Sequence, residues 1–269
     1  MLAYLKMCCA SVADQNVNHE HVVVDGASRD GTAEWLSTTH GVAWTSEKDS
    51  GMYNALNKGI LKAKGKIIGH LNADEQYLPG VLEFVVKFFD EHPHVDFIAA
   101  DFIVIDPNGE FMAYRKSFQP RWPYFFSNYL YTTTATIFYR REIFEKCTFN
   151  ETYKSIADVI FLYDVLKKNF KGAHVKKYFS VFTYSGDNLS LNPISQIEKE
   201  RFNKTLPLWF RVFKPFFFLM FFLERVLTGT YSEESTISYS IFTKEDLKKR
   251  KKKIKVNPGF RLKFYRTGD

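Results

Sequence analysis

Two acidic residues follow a short apolar run, and their chemistry and position suit the binding of a cation. Asp74 and Glu75 come after Ile67–Leu71, a run typical of a buried parallel strand. The carboxyl ends of such strands are where open α/β sheets bind their ligands. A carboxylate there attracts a divalent cation, and a cation there neutralises a diphosphate. The alternative is that both acids lie in a solvated turn before Pro79.

Two further acids stand at the boundaries of predicted elements. Asp25 follows the β-branched strand His21–Val24 and begins a turn of small and acidic residues. Asp158 lies in the first turn of a predicted helix over residues 157–168. Both positions also have a purely structural explanation, because acidic residues commonly cap turns and begin helices.

The periodicity of apolar residues places these acids in an alternating series of helices and strands. The predicted helices cover residues 1–15, 32–36, 52–63, 79–88, 141–146 and 157–168. The predicted strands cover residues 21–24, 42–45, 67–71, 95–100, 102–105, 111–114, 134–139 and 175–183. Residues 118–131 have no clear period and are predicted to form a loop over the site. The alternation predicts an α/β fold whose first half is a parallel sheet.

Four segments of the chain resemble the motifs of one enzyme family. Residues 23–32 read VVDGASRDGT and resemble the signature VVDGSTDGT, and residues 49–59 read DSGMYNALNKG and resemble DxGxYDAMNKG. Residues 71–75 read LNADE and resemble LNADD, a variant of the DXD motif, and Ala157-Asp158 resembles a later ED or SD motif. The chain is therefore similar to inverting, nucleotide-sugar-dependent glycosyltransferases of family two. Those enzymes have the GT-A fold, a Rossmann-like mixed sheet flanked by helices.

The resemblance implies a role for each motif residue. The residues implied to bind the nucleotide sugar are Asp25, Ser28, Asp49, Asn57 and Asn72. Asp74 would bind Mg²⁺ or Mn²⁺ bridging the diphosphate. Asp158 would deprotonate the acceptor hydroxyl that attacks the anomeric carbon, with inversion of configuration. A sugar hydroxyl is a poor nucleophile, so such a base is needed, and a helix N-terminus favours the ionised form of Asp158.

The expected activity is a metal-dependent transfer of a hexose from a nucleotide-diphosphate sugar, a UDP-sugar being favoured. The acceptor would be a glycan or a lipid-linked molecule in the synthesis of a cell-surface polysaccharide. The chain departs from the family pattern where its first predicted element is a helix, since the family sheet opens with a strand that forms one wall of the nucleotide pocket. The alternative is a catalytically impaired, membrane-associated binding or scaffold relative.

Charge and cysteine content limit the other possible functions. The net charge of the 269-residue chain is +7, but residues 244–269 hold eleven Lys or Arg and three acids, so the rest is close to neutral. The basicity therefore gives no reason to predict nucleic-acid binding by the main domain, and RNA binding by the tail is a weaker third alternative. The three cysteines show neither a disulfide framework nor metal-ligand spacing and predict a reducing compartment. No signal peptide is recognised at the first residue.

The composition changes near residue 193, which predicts a transferase domain over residues 1–192 and an extension over residues 193–269. Residues 206–227 combine a Trp and many Phe with scattered cations, as in helices that lie in a bilayer interface. The cationic run 248–255 would add attraction to anionic lipids. The expected location is the cytoplasmic face of the plasma membrane. The alternative is a C-terminal helix packed on the domain, with the lysine run as a disordered end.

Overall fold

The structure of the protein is a computed structural model. It describes residues 1–127, 132–184, 193–232, 234–245 and 247–256, with the backbone alone for 125–127. The predicted roles of residues 128–131 in the loop, and the chain after residue 256, lie outside the described residues.

The first half of the chain alternates helices and strands, as predicted. Its elements are α1 (Leu2–Ala13), β1 (His21–Asp25), α2 (Thr32–Ser37), β2 (Val42–Ser46), α3 (Met52–Lys62), β3 (Ile67–Gly69), β4 (Glu75–Tyr77) and α4 (Val81–Glu91). Strands β1 and β2 form a parallel pair that makes a two-stranded sheet of its own. The strand predicted over residues 67–71 ends at Gly69, and Glu75 is the first residue of a further strand that the sequence did not predict.

The central sheet is built mainly from the second half of the chain. Its further elements are β5 (Phe97–Ile105), β6 (Phe111–Arg115), β7 (Ile137–Arg140), α5 (Ala157–Lys167) and β8 (Gly172–Thr183). The six strands lie in the order β3-β7-β5-β8-β4, with β6 paired to β5. Within this sheet β5 and β8 are parallel and the other pairs are antiparallel. The α/β class with a mixed sheet is confirmed, and the expectation of one parallel sheet through the first half is wrong.

Three short 3-10 turns lie in the second half of the chain, and two of them alter predicted regular segments. They are Trp122–Ser127, Thr134–Thr136 and Arg141–Ile143. The predicted helix 141–146 is only the last of these turns, and the predicted strand 134–139 begins at Ile137.

Strand β5 divides the core into two layers, because alternate residues of a strand face opposite sides. Phe97 and Ala99 belong to one cluster, which α5 covers, and Ile98 and Ala100 belong to the other, which α4 covers. Each of these four side chains is fully buried. A continuous apolar strand of this kind is therefore covered on both faces, as its composition predicts.

The C-terminal segment packs on the same two layers. It consists of α6 (Pro193–Thr205), α7 (Leu208–Val212), α8 (Lys214–Leu227), β9 (Thr236–Phe242) and β10 (Lys249–Lys255). Phe202, Leu206 and Phe210 join the α5 side of the core, and Ile237 and Tyr239 join the α4 side. None of the described helices is long and apolar enough to cross a bilayer.

The lysine run is a strand, which neither sequence interpretation predicted. β10 pairs antiparallel with β9 along its whole length. Lys249 pairs with Asp14 at 2.6 Å and Lys252 with Glu110 at 2.5 Å. The backbone pairing and these contacts with acids outweigh the low strand propensity of lysine, which is a context-dependent preference.

Candidate active site

Asp25 is held as an anion at the end of β1. Its carboxylate accepts a hydrogen bond from the Ser28 backbone N–H at 3.1 Å and another from the Ser46 hydroxyl at 2.6 Å. Burial of Asp25 raises its pKa, but the hydrogen bonds from Ser28 and Ser46 outweigh burial, so its pKa lies below the ordinary value. Between Asp25 and Ser28, Ala27 has a φ of 62°, a left-handed conformation that turns the chain back toward the carboxylate.

Asp49 lies directly beside this turn. A side chain on Gly26 would meet Asp49 Oδ2 at 2.7 Å, so only glycine allows this approach. The other oxygen of Asp49 accepts the Gly51 N–H at 2.9 Å, immediately before α3 begins. Asp25 and Asp49 are therefore neighbours at one end of the two-stranded sheet.

The side-chain amide of Asn57 makes hydrogen bonds to a loop of the protein. Its side-chain N–H groups donate to the Phe149 carbonyl at 2.9 Å and to Glu151 at 2.8 Å, and its oxygen accepts the Phe149 N–H at 3.1 Å. Asn54 donates to the second oxygen of Glu151 at 2.8 Å. These contacts fix the loop that leads to α5 against α3, and the role of Asn57 toward a nucleotide stays a prediction.

Asp158 is tied to the beginning of α3 through Tyr53. The Tyr53 hydroxyl lies 3.1 Å from Asp158 Oδ1 and 3.0 Å from the Ser155 carbonyl, and the Val159 N–H donates to the same carboxylate oxygen at 2.9 Å. Burial raises the pKa of Asp158 to about 6 despite these hydrogen bonds. Burial, rather than the helix terminus invoked from sequence, therefore dominates the pKa of this carboxyl.

The segment before Asp158 is capped from the C-terminal helix α6. The buried carboxylate of Glu198 accepts the N–H groups of Lys154 at 2.6 Å, Ser155 at 2.9 Å and Ile156 at 3.3 Å. Lys154 in turn donates its ammonium group to the Ser50 carbonyl at 2.6 Å, next to Asp49. Nothing in the sequence signalled the role of Glu198, whereas Tyr53 lies inside a recognised motif and was overlooked.

The side chain of Glu75 points into the protein interior. Its carboxylate accepts the Asn72 N–H at 2.8 Å and the Thr133 hydroxyl at 2.8 Å, and its side chain is fully buried. Burial, together with the neighbouring charge of Asp74, raises the pKa of Glu75 to about 8. Both the backbone and the side chain of Asn72 interact with Glu75, and the contact of Asn72 with a nucleotide sugar stays a prediction.

Of the two acids in this motif, Asp74 is the candidate for binding a cation, because the carboxylate of Glu75 is already hydrogen-bonded to the protein. Its side chain is half-buried in the turn between β3 and β4, and burial raises its pKa. The described residues contain no cluster of three metal-ligating side chains. A single carboxylate fits Mg²⁺ or Mn²⁺ only where the diphosphate and water supply the other oxygens, which is the usual arrangement for Mg²⁺ bound with nucleotides.

The described contacts join most, but not all, of the predicted site residues. Asp25, Ser28 and Asp49 meet at one turn, and Tyr53 and Lys154 connect the start of α3 to the segment that carries Asp158. Within the described part of the chain, no hydrogen bond or ion pair joins Asp74 to this group. The assignments of all seven residues remain predictions.

Comparison with known proteins decides the family. The sequence model of the family described as Glycosyl transferase family 2 matches residues 2–148, which is more than half of the chain. This chain belongs to glycosyltransferase family 2.

Relatives of this family 2 protein include a PGL/p-HBAD biosynthesis glycosyltransferase of Mycobacterium tuberculosis (strain ATCC 25177 / H37Ra). It is 29% identical over 219 residues, which cover 77% of this chain and 80% of the relative. An uncharacterized glycosyltransferase of M. tuberculosis (strain ATCC 25618 / H37Rv) is 40% identical over 60 residues, which cover 22% of this chain and 23% of the relative. That match therefore spans about a quarter of the relative's length.

Two solved structures share the fold of this family 2 protein. TarS 1–349 of S. aureus in complex with UDP superposes with a TM-score of 0.58 at 21% identity, over 84% of this chain and 68% of TarS 1–349. The mannosyltransferase PcManGT of Pyrobaculum calidifontis, in complex with GDP-Man and Mn²⁺, gives a TM-score of 0.51 at 18% identity, over 69% of this chain and 54% of PcManGT. The GT-A fold expected from the motifs is confirmed.

Proposed function

We propose that this family 2 protein is an inverting glycosyltransferase that moves a sugar from a nucleotide-diphosphate sugar to a glycan or lipid-linked acceptor. The observation that carries the proposal is the contact between Asp158 and Tyr53, which joins a carboxyl with a raised pKa to helix α3. Asp49, just before that helix, lies against the turn that follows Asp25. A carboxyl with a raised pKa suits the abstraction of a proton from an acceptor hydroxyl. The carboxylates of Asp25 and Asp49 offer hydrogen-bond acceptors to the nucleotide sugar.

A UDP-sugar is the donor we favour, and cell-surface polysaccharide synthesis the process. TarS, which shares the fold, was crystallised with UDP. Asp25 and Asp49 offer fixed carboxylate oxygens, which accept hydrogen bonds from ribose hydroxyls or base N–H groups.

Asp158 would take the proton of the acceptor hydroxyl. The oxygen of the acceptor hydroxyl then forms the new bond to the anomeric carbon, while the bond from that carbon to the diphosphate oxygen breaks on the opposite face and the nucleoside diphosphate leaves. This displacement inverts the anomeric configuration. A pKa of about 6 leaves Asp158 mostly ionised at neutral pH and close to the optimum for a general base.

Asp74 would hold a Mg²⁺ or Mn²⁺ ion, whose charge would stabilise the leaving diphosphate. PcManGT, with the same fold, was crystallised with Mn²⁺. Asp74 fits this role better than Glu75, because the oxygens of Glu75 are already engaged by Asn72 and Thr133.

The test measures binding and turnover separately in the full-length chain. Calorimetry records UDP binding with and without Mn²⁺, and release of nucleoside diphosphate from a panel of UDP- and GDP-sugars records turnover.

Asp158→Asn should lower turnover by about 10²-fold or more with unchanged UDP binding. Asp74→Ala should abolish the Mn²⁺-dependent part of UDP binding. Asp164→Asn, an exposed acid of the same helix, serves as the control. Wild-type turnover in Asp158→Asn would contradict the proposed base.

A catalytically impaired binding relative is the second candidate. It is favoured by the sheet arrangement, because β1, which ends in Asp25, pairs with β2 and with no strand of the central sheet among the described residues. A nucleotide pocket on so small a sheet would be less rigid. Nucleotide binding without turnover of any donor, in the parent chain as well as in Asp158→Asn, would favour this candidate.

A further inference from the structure

Helix α8 is oriented with its apolar side toward solvent. Only Phe217, Phe221 and the last-turn pair Glu224 and Arg225 face the protein, one narrow stripe at helical spacing. The remaining positions of the helix are exposed. A helix on the surface of a water-soluble domain normally has the opposite arrangement, with its polar residues outward.

The two charged residues in the last turns of α8 are used on the inner side. Glu224 pairs with Arg121 at 2.9 Å and accepts a hydrogen bond from the Tyr124 hydroxyl. The guanidinium group of Arg225 lies 5.1 Å from the Phe221 ring and 4.4 Å from the Tyr231 ring. These contacts fix the orientation of the helix, so the apolar side cannot turn inward without breaking an ion pair.

The exposed side chains of α7 and α8 are mostly large and apolar. The most prominent are Trp209, Phe216, Phe218, Leu219, Leu223 and Leu227. Phe218 is 60% exposed and Leu227 is 86% exposed. An apolar surface built from two successive helices is larger than the single apolar residues scattered over an ordinary protein exterior. Such patches mark interaction sites.

The charge of this surface has one sign. Between Glu200 and Glu224 the chain contains four cations and no acid. Arg211 and Lys214 are exposed at the junction of α7 and α8, and both border the apolar side. A two-fold contact between copies of this chain would bring these cations together without acidic partners, because such an interface uses the same patch on both sides. An anionic lipid surface complements them.

We propose that α7 and α8 form a membrane-docking face on which the protein lies on an anionic bilayer. The apolar side chains enter the boundary between headgroups and acyl chains, and Arg211 and Lys214 contact the lipid phosphates. With 14 residues, α8 spans about 21 Å, which is too short to cross the hydrocarbon core and long enough to lie along it. Trp209 suits the interface, where aromatic rings of this type are enriched.

The test uses the full-length chain and vesicles of phosphatidylcholine, either pure or mixed equally with phosphatidylglycerol. Flotation measures binding, and quenching of tryptophan fluorescence by brominated lipids reports insertion. We expect binding to the anionic vesicles, with quenching that is largely lost in Trp209→Phe. Arg211→Gln with Lys214→Gln should weaken binding by about 30-fold, since each cation near the surface contributes about fivefold.

Substitution of the exposed side chains separates docking from folding. Phe218→Ser with Leu219→Ser and Leu223→Ser should abolish vesicle binding and leave the thermal unfolding transition and donor turnover in solution in place. Leu61→Ser, at an 86% exposed leucine of α3, is the matched control and should bind vesicles normally. The proposal does not depend on the proposed reaction. It is overturned if the parent chain ignores both vesicle types, or if sedimentation shows a dimer that the triple substitution dissociates.

Discussion

The hydroxyl of Tyr53 is the contact most directly tied to the proposed chemistry. It lies within hydrogen-bonding distance of the Asp158 carboxylate and of the Ser155 carbonyl, so it joins α3 to the beginning of α5. A hydrogen bond donated to a carboxylate favours its ionised form and lowers its pKa. Tyr53 therefore acts as a positioning residue that opposes the effect of burial on Asp158.

We predict that Tyr53→Phe shifts the pH dependence of transfer. Loss of the hydroxyl raises the pKa of Asp158 above about 6, so more of the base is protonated and the acidic limb of the kcat/KM profile moves to higher pH. At neutral pH we expect a loss of about twofold, because one hydrogen bond to a charged group shifts a pKa by about one unit and about half of the base then stays ionised. Tyr239→Phe, which removes a hydroxyl donating to the Gly109 carbonyl, is the control. An unshifted acidic limb would show that Tyr53 does not act on Asp158.

At the scale of elements, α6 supports the segment that enters α5. The helix α5 begins without a side-chain cap from its own N-cap residue, Ile156, and Glu198 of α6 supplies acceptors to three backbone N–H groups just before it. The first N–H groups of a helix and of its entry lack partners within the helix, so an external carboxylate is stabilising there.

Glu198→Ala should therefore lower both stability and turnover. Removing the acceptor leaves three N–H groups without their partner, and we expect a loss of about 2–3 kcal/mol in the free energy of unfolding. Displacement of the α5 entry should lower kcat while leaving UDP binding nearly unchanged, which calorimetry and steady-state kinetics measure. Glu200→Ala, at an exposed acid of the same helix, should have neither effect. A variant with full kcat would limit Glu198 to a role in stability.

Local sequence patterns predicted most elements but not their partners. The period of α3 and the apolar runs of β5 are properties of neighbouring residues. Helix α3 was predicted within a few positions, whereas the strands predicted over 95–100 and 102–105 are the single strand β5. The inward turn of Glu75, the cap by Glu198 and the pairing of β10 depend on residues that are distant in sequence. The composition of the lysine run predicted either attraction to anionic lipids or a disordered end, and neither prediction included the strand β10.

At the scale of the whole molecule, the C-terminal segment shares buried clusters with the rest of the chain. Phe210 of α7 is 1% exposed and stacks on Trp122 with ring centroids 5.5 Å apart, beside the cluster that includes α5. β9 contributes Ile237 and Tyr239 to the other layer. Residues on both sides of position 192 therefore share each buried cluster, which favours a single cooperative unfolding transition.

We predict that Phe210→Ala destabilises the entire protein and not the C-terminal helices alone. Truncation of a buried Phe costs about 3–5 kcal/mol, from lost burial and the cavity that remains. Far-UV circular dichroism and the fluorescence of Trp35 and Trp44, which lie in the first half of the chain, should report the same lowered midpoint in urea. Phe213→Ala, at a neighbouring phenylalanine that is 53% exposed, should change the midpoint little. The contrary result would be two separate transitions, in which Phe210→Ala lowers only the midpoint recorded by circular dichroism. Residues 1–192 would then fold independently of the segment that follows, and the docking face would belong to a separate unit.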